Sequence, residues 1–308
     1  MIAEIITLVA ALAIVAGILS ARNSVQHTTL VGPLVWAVVA GLGWVVAAGA
    51  GLLLNRMHPV HGQLWYTAAV LTICPLIAVL GARRPTIRVW NWFVVLPLTA
   101  VLLWPVALCW MPRGPERLAL EAPHLAGLGV VLLMGIGNYI GTRWTVLAAA
   151  TLVSIALVLS SVSRASMDAV QLRAWAAGAL CLALWGARRF AARTVEQVRS
   201  WQRVWTDFRE TFGIVWAHRI AERVNAEALR GNWATRLQPT GFVAARPEAV
   251  LDLEADRSAI DHTLRWLLRR FVDQDWLDCR VPQSAKQNYA APGLNDGGSL
   301  AGKDSIEA

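Results

Sequence analysis

Lysine is nearly missing from this 308-residue chain; the first is Lys286 and the second Lys303. No apolar segment therefore carries a lysine, which excludes a retinal-type Schiff base inside a membrane span. Phosphate-binding GxxxxGK[ST], hydrolase GxSxG and metalloprotease HExxH patterns are also missing, and GLGVVLLMGIG lacks the strand and helix context of a dinucleotide loop. Cysteine is sparse. Cys74, Cys109, Cys181 and Cys279 are scattered with no CxxC spacing, which supports neither a disulfide framework nor a zinc site. Three of them lie in apolar stretches and read as small hydrophobes. Charge is scarce as well, at 16% of residues.

Apolar sequence is what the chain has in abundance, with 56% hydrophobic residues and a mean hydropathy of +0.48. A membrane-spanning helix needs about 20 mostly apolar residues. Stretches of that kind run near 2–20, 31–54, 64–82, 89–110, 119–141, 144–162 and 169–187. The expected fold is all-α: a polytopic helical membrane bundle of about seven spans over residues 1–187, with six as the alternative count. A small cytoplasmic amphipathic helical domain follows at 188–281, and a disordered polar tail at 282–308.

The basic residues help to orient the bundle. Residues 1–187 hold ten arginines and four acids, a net of +6. The start, MIAEIIT, has Glu4 and no basic side chain, unlike a signal peptide. An outside N-terminus puts Arg22, Arg83, Arg84, Arg88 and Arg143 in the cytoplasm and Arg56, Arg113, Arg117, Arg164 and Arg173 outside. That tie is broken by Arg188, Arg189, Arg193 and Arg199 just after the last span. The plasma membrane, of the bacterial inner type, is the expected location. Arg173 is expected to snorkel to the headgroups. Because the basic excess is spread over short loops, nucleic acid is not an expected partner.

Packing signals are ordinary. Gly43, Ala47 and Gly51 share one helical face, as do Gly137 and Gly141, and small residues at this spacing let helices approach closely. Internal packing is the first expectation and a homo-oligomer face the second. Pro33, Pro75, Pro97 and Pro105 should each kink or break a span. Trp65, Trp90, Trp92, Trp110 and Trp144 fall near span ends, as an interfacial belt requires.

From Phe190 to Arg230, Val195, Val198, Trp201, Trp205, Phe208, Phe212 and Val215 recur at helical spacing and make one apolar stripe. A break near Gly213 and a stop at Gly231-Asn232 fit this helix. The stripe must be buried, on a second tail helix, on the membrane surface or on a partner. Trp201, Trp205, Phe208 and Phe212 are the candidate partner-binding residues. A second helix is expected over 258–272, opened by a Ser258–Asp261 capping box, with 237–257 as a loop. Residues 188–236 carry +5 and residues 237–308 carry −3, so the basic first helix suits anionic lipid. His218 has no obvious partner.

The candidate site chemistry is at the outer boundary. His58 and His61 lie in NRMHPVHGQ, read as a turn because of Pro59 and Gly62. Glu121 and His124 are three apart on one helical face, and Arg117 is spaced to pair with Glu121. Imidazole and carboxylate are metal ligands, so a transition metal or haem is the candidate cofactor. The same groups would serve a proton-coupled role. No cofactor is required by any strong motif.

The leading expectation is thus a non-enzymatic membrane protein. It would act as an anchoring, scaffold or accessory subunit through its bundle and Trp-rich helix, with lipids and other protein subunits as partners. The alternatives are a cofactor-handling redox or assembly protein and a carrier of a lipid or apolar solute.

Overall fold

The computed structural model describes residues 2–54, 58–162, 167–193, 200–246 and 253–281. Val195, Val198, the loop residues Arg56, Arg164 and Arg199, and the 282–308 segment expected to be disordered lie outside the described residues.

The chain is mostly helical. Its apolar helices are α1 (Ile2–Ser20), α2 (Val31–Leu53), α3 (Pro59–Leu80), α4 (Ile87–Leu102), α5 (Ala122–Gly137), α6 (Thr145–Val162) and α7 (Met167–Arg193). Five of them (α1, α2, α3, α6 and α7) are long and apolar enough to cross a membrane, which indicates a membrane protein. The fourth and fifth expected spans are shorter than the sequence pattern suggests. Span four ends at Leu102 and resumes as the short helix Trp104–Cys109. Proline chemistry accounts for this. Pro97 and Pro105 have no N–H to donate to the preceding turn. A wide π turn at Asn91–Val95 precedes Pro97, and the chain breaks at Leu103 just before Pro105. Pro33 breaks nothing, because it lies in the first turn of α2, where N–H groups have no intrahelical partner. Pro75 is accommodated inside α3.

α3 is the hub of the bundle, packed on α2, α5 and α6, while α1 packs on α2 and α7. Alanine makes close approach possible: Ala47, Ala68, Ala69 and Ala78 are fully buried. Gly43 faces Leu71 and Ala68, so this small-residue stripe is spent on the α2–α3 contact. A Cβ at Gly137 would meet no other segment within 4 Å among the described residues, and Gly141 lies beyond the helix with φ +75°, so these two do not form a packed face there. Trp65 is not part of an interfacial belt. It is 1% exposed and meets Trp44 edge-on with ring centroids 5.5 Å apart, whereas Trp92 and Trp110 are exposed. Of the cysteines in apolar stretches only Cys74 is fully buried.

The C-terminal region comprises α8 (Trp201–Phe212), α9 (Ile214–Arg230), a hairpin of β1 (Thr235–Gln238) and β2 (Gly241–Ala244), α10 (Arg257–Leu268) and α11 (Gln274–Asp278). The hairpin adds a small β element to a chain expected to be all-α, and it occupies the first part of the expected 237–257 loop, of which residues 247–252 lie outside the described residues. Its antiparallel register pairs Thr235 with Ala244 and Gln238 with Gly241. Four-residue strands have little periodicity to detect. Gly241 takes φ +135°, and Gln202 clamps the turn, donating to the Thr240 carbonyl at 3.0 Å and accepting from the Phe242 N–H at 2.9 Å. The capping box at Ser258 does not form. Asp256 precedes α10 and accepts from the Thr235 hydroxyl, while Asp261 pairs with Arg265. The break at Gly213 is present, with φ +82°.

This region sits on one end of the bundle. Its apolar core includes Leu30, Val79 and Ala82 from the ends of α2 and α3. Polar bonds fasten it to three interhelical connections. Thr29 N–H donates to the Phe271 carbonyl and Arg84 N–H to the Arg270 carbonyl, both at 2.8 Å. The Asn138 side chain donates to the Phe212 carbonyl at 3.1 Å and accepts from Val215 N–H at 3.0 Å. Glu210 accepts from the Arg143 N–H, and Trp216 Nε1 donates to the Val79 carbonyl.

Candidate functional site

The expected metal-site residues do not come together as one group. His58 is an exposed N-cap for α3, its Nδ1 accepting from Val60 N–H at 3.4 Å. The His58–His61 stretch is therefore a helix start, with Pro59 at its first position, and not a free turn. Glu121 is exposed and flanks the start of α5, where its carbonyl accepts from His124 N–H at 3.1 Å. His124 is half-buried, and its enclosed Nδ1 has no hydrogen-bond partner among the described residues. Among the described residues, no three His, Cys, Asp or Glu side chains are gathered as metal ligands.

His61 instead belongs to a different cluster, at the end of the bundle opposite the C-terminal region. It is 3% exposed on α3, with Glu4 (8%) of α1 and Arg173 (8%) of α7 around one narrow cavity. Arg173 does not snorkel outward. Its Nε donates to Ser161 Oγ of α6 at 3.0 Å, and its Nη1 lies 3.3 Å from both nitrogens of His61. The guanidinium also lies over the Trp65 ring, 5.5 Å from its centroid. Trp65 Nε1 donates to His61 Nε2 at 3.1 Å. Glu4 interacts electrostatically with both His61 and Arg173. Gly51 of α2 completes the wall, since a Cβ there would meet His61 Nε2 at 3.2 Å.

Ionisable groups withdrawn from water are costly and persist where they pair with one another. Here one cation, one carboxylate, one imidazole and one hydroxyl come from α1, α3, α6 and α7. Their polar atoms engage each other, which ties these helices together and fixes their relative registers. Sequence reading saw Glu4, His61 and Arg173 separately and passed over Ser161. The signal that could have joined them was the presence of Glu4, His61 and Arg173 near the same ends of three apolar segments.

The four aromatic residues expected to bind a partner are interior. Trp201 is 5% exposed, Trp205 1%, and Phe208 and Phe212 0%. Phe208 stacks on Phe212 with centroids 4.9 Å apart, and Phe271 meets both rings edge-on at 5.3 Å. Of the three burial routes open to the stripe, the chain uses packing against its own second helix. His218 is exposed and pairs with Glu222 at 3.2 Å. No family model, no curated protein and no solved structure matches this chain.

Proposed function

We propose that this chain is a non-enzymatic multi-pass membrane protein that anchors or scaffolds a larger membrane complex. The observation that carries this reading is the attachment of the C-terminal region to one bundle end through apolar packing and several polar bonds. A folded unit fixed in this way offers a partner a rigid surface at a set height and angle above the membrane. Since the Trp-rich stripe is used internally, the partner contact moves to outward-facing residues such as Leu229 and Trp266, which are 65% and 44% exposed. Membrane lipids, other protein subunits and further copies of the chain remain the proposed neighbours of the bundle.

The proposed orientation keeps the N-terminus outside and the C-terminal region in the cytoplasm of a plasma membrane of the bacterial inner type. Burial of Arg173 removes it from the outer loop charges, leaving four arginines there against five in the cytoplasmic connections. Short-loop charge asymmetry of this sign favours that direction.

Mild detergent extraction from native membranes, followed by native mass spectrometry, tests the scaffold reading. Additional polypeptides bound in fixed ratio are expected. A lone chain, or one carrying only a small bound molecule, would overturn it.

A further inference from the structure

A groove lies where the C-terminal region meets the bundle end. Its charged lining among the described residues comes from Arg83, Arg219, Arg223 and Arg270, with Glu222 as the one acid. Arg219 and Arg223 are one turn apart on α9 and exposed. Arg83 lies in the connection that leaves α3, and the Arg84 N–H bond to the Arg270 carbonyl holds that connection beside Arg270. The floor is apolar and aromatic, with Trp216 and Phe271 buried beneath the guanidinium groups.

Four like charges in one groove repel, and their local compensation is thin. Arg83 and Arg219 both lie over the Trp216 ring, 5.9 and 5.1 Å from its centroid. Among the described residues none of the four forms an ion pair, and Glu222 pairs with His218. Elsewhere in this region arginines do have acids: Arg265 with Asp261 and Asp278, and Arg280 with Asp207. The contrast marks the groove as a place where the compensating charge comes from outside the chain. Arginine forks match tetrahedral oxyanions geometrically as well as electrostatically.

We propose that this groove binds a phosphate group. Two sources present that chemistry at this location: the headgroup of an anionic phospholipid beside the bundle end, and a soluble phosphate-bearing molecule. The aromatic floor suits either, since the Trp216 face holds Arg83 and Arg219 by cation–π contact.

The test uses the full chain purified in detergent micelles. Phosphatidylglycerol or phosphatidylcholine is added at equal mole fraction, and native mass spectrometry counts retained lipid. Pyrophosphate is titrated separately against thermal stability. The variant Arg219→Gln with Arg223→Gln changes only exposed side chains. Arg230→Gln, a surface arginine of the same helix paired with Glu227 at 2.8 Å, is the control. Selective retention of phosphatidylglycerol, or stabilisation by pyrophosphate, is expected, and the double variant should weaken either by about tenfold or more. The former result assigns the site to the membrane and the latter to a soluble ligand. Binding of neither probe, an undiminished response in the double variant, or an equal loss in Arg230→Gln would overturn the proposal.

Discussion

Replacing Phe208 with alanine separates two roles for the aromatic stripe. Phe208 has no exposed surface and is enclosed by Trp205, Phe212 and Phe271, with ring centroids at 6.2, 4.9 and 5.3 Å. Truncating a buried phenylalanine costs about 3–5 kcal/mol, as lost transfer energy plus the cavity left behind. The favourable ring pairs are part of that loss and are not added again. At about 1.4 kcal/mol for each factor of ten, the open population of the C-terminal region should rise roughly a hundredfold to several thousandfold. Limited proteolysis of the full chain in detergent reads this directly, with cleavage between 200 and 281 accelerating in proportion when reclosing outpaces cleavage. Leu229→Ala, on the exposed side of α9, is the comparison and should leave the rate nearly unchanged. A Phe208→Ala protein that resists protease as well as the parent, yet loses a co-purifying subunit, would refute the internal-core argument and restore the stripe as a docking face.

Arg173→Ala removes the partner of Ser161 and the cation beside Glu4, and should destabilise the bundle by about 3–5 kcal/mol, read as thermal unfolding in detergent; unchanged unfolding would mean that water substitutes for the guanidinium. Asn138→Ala deletes two bonds to the α8–α9 corner and should cost about 1–3 kcal/mol, with faster hydrogen exchange at Val215 as the local readout. Gly213→Ala forces a side chain onto φ +82° and drives its Cβ into the Asn138 side-chain amide, so the C-terminal region should become protease-sensitive even though its core is intact.

Hydropathy located the apolar helices well because an unbroken run of about 18 or more apolar residues is rarely anything but a membrane-spanning helix. It misjudged their ends where local chemistry intervened. α3 begins at Pro59, ahead of the expected 64, because a proline at the first helical position gives up an N–H that would have no partner there. α4 stops at Leu102 because two prolines interrupt what hydropathy reads as continuous. The β-hairpin escaped for a different reason. Its strands are four residues long, and the contact that holds its turn comes from Gln202, more than 30 residues earlier in the chain. Periodicity also identified the buried face of α8 correctly, but an amphipathic face is the same in sequence whether an internal helix or another protein covers it.

The charged residues show the same limit from the opposite direction. Read singly, Glu4 is a lone acid in an apolar segment, His61 suggests a ligand and Arg173 a snorkelling cation. Each inference used only the residue's own neighbours. The three sit on α1, α3 and α7, and the distance in sequence between Glu4 and Arg173 spans nearly the whole bundle. What unites them is the energetic demand that an ionisable group withdrawn from water find a counterpart. For the Arg173 guanidinium that demand is met by Ser161 and His61 at hydrogen-bond distance and by Glu4 electrostatically. Shifting the sequence of α7 by one residue along the same helical path would turn Arg173 by roughly 100° about the helix axis, away from these partners. The cluster therefore selects one register among the many that generic apolar packing between helices would tolerate. Directional polar contacts add a selectivity that alanine and leucine packing supplies less sharply, which gives these polar residues a structural role in segments otherwise so poor in charge.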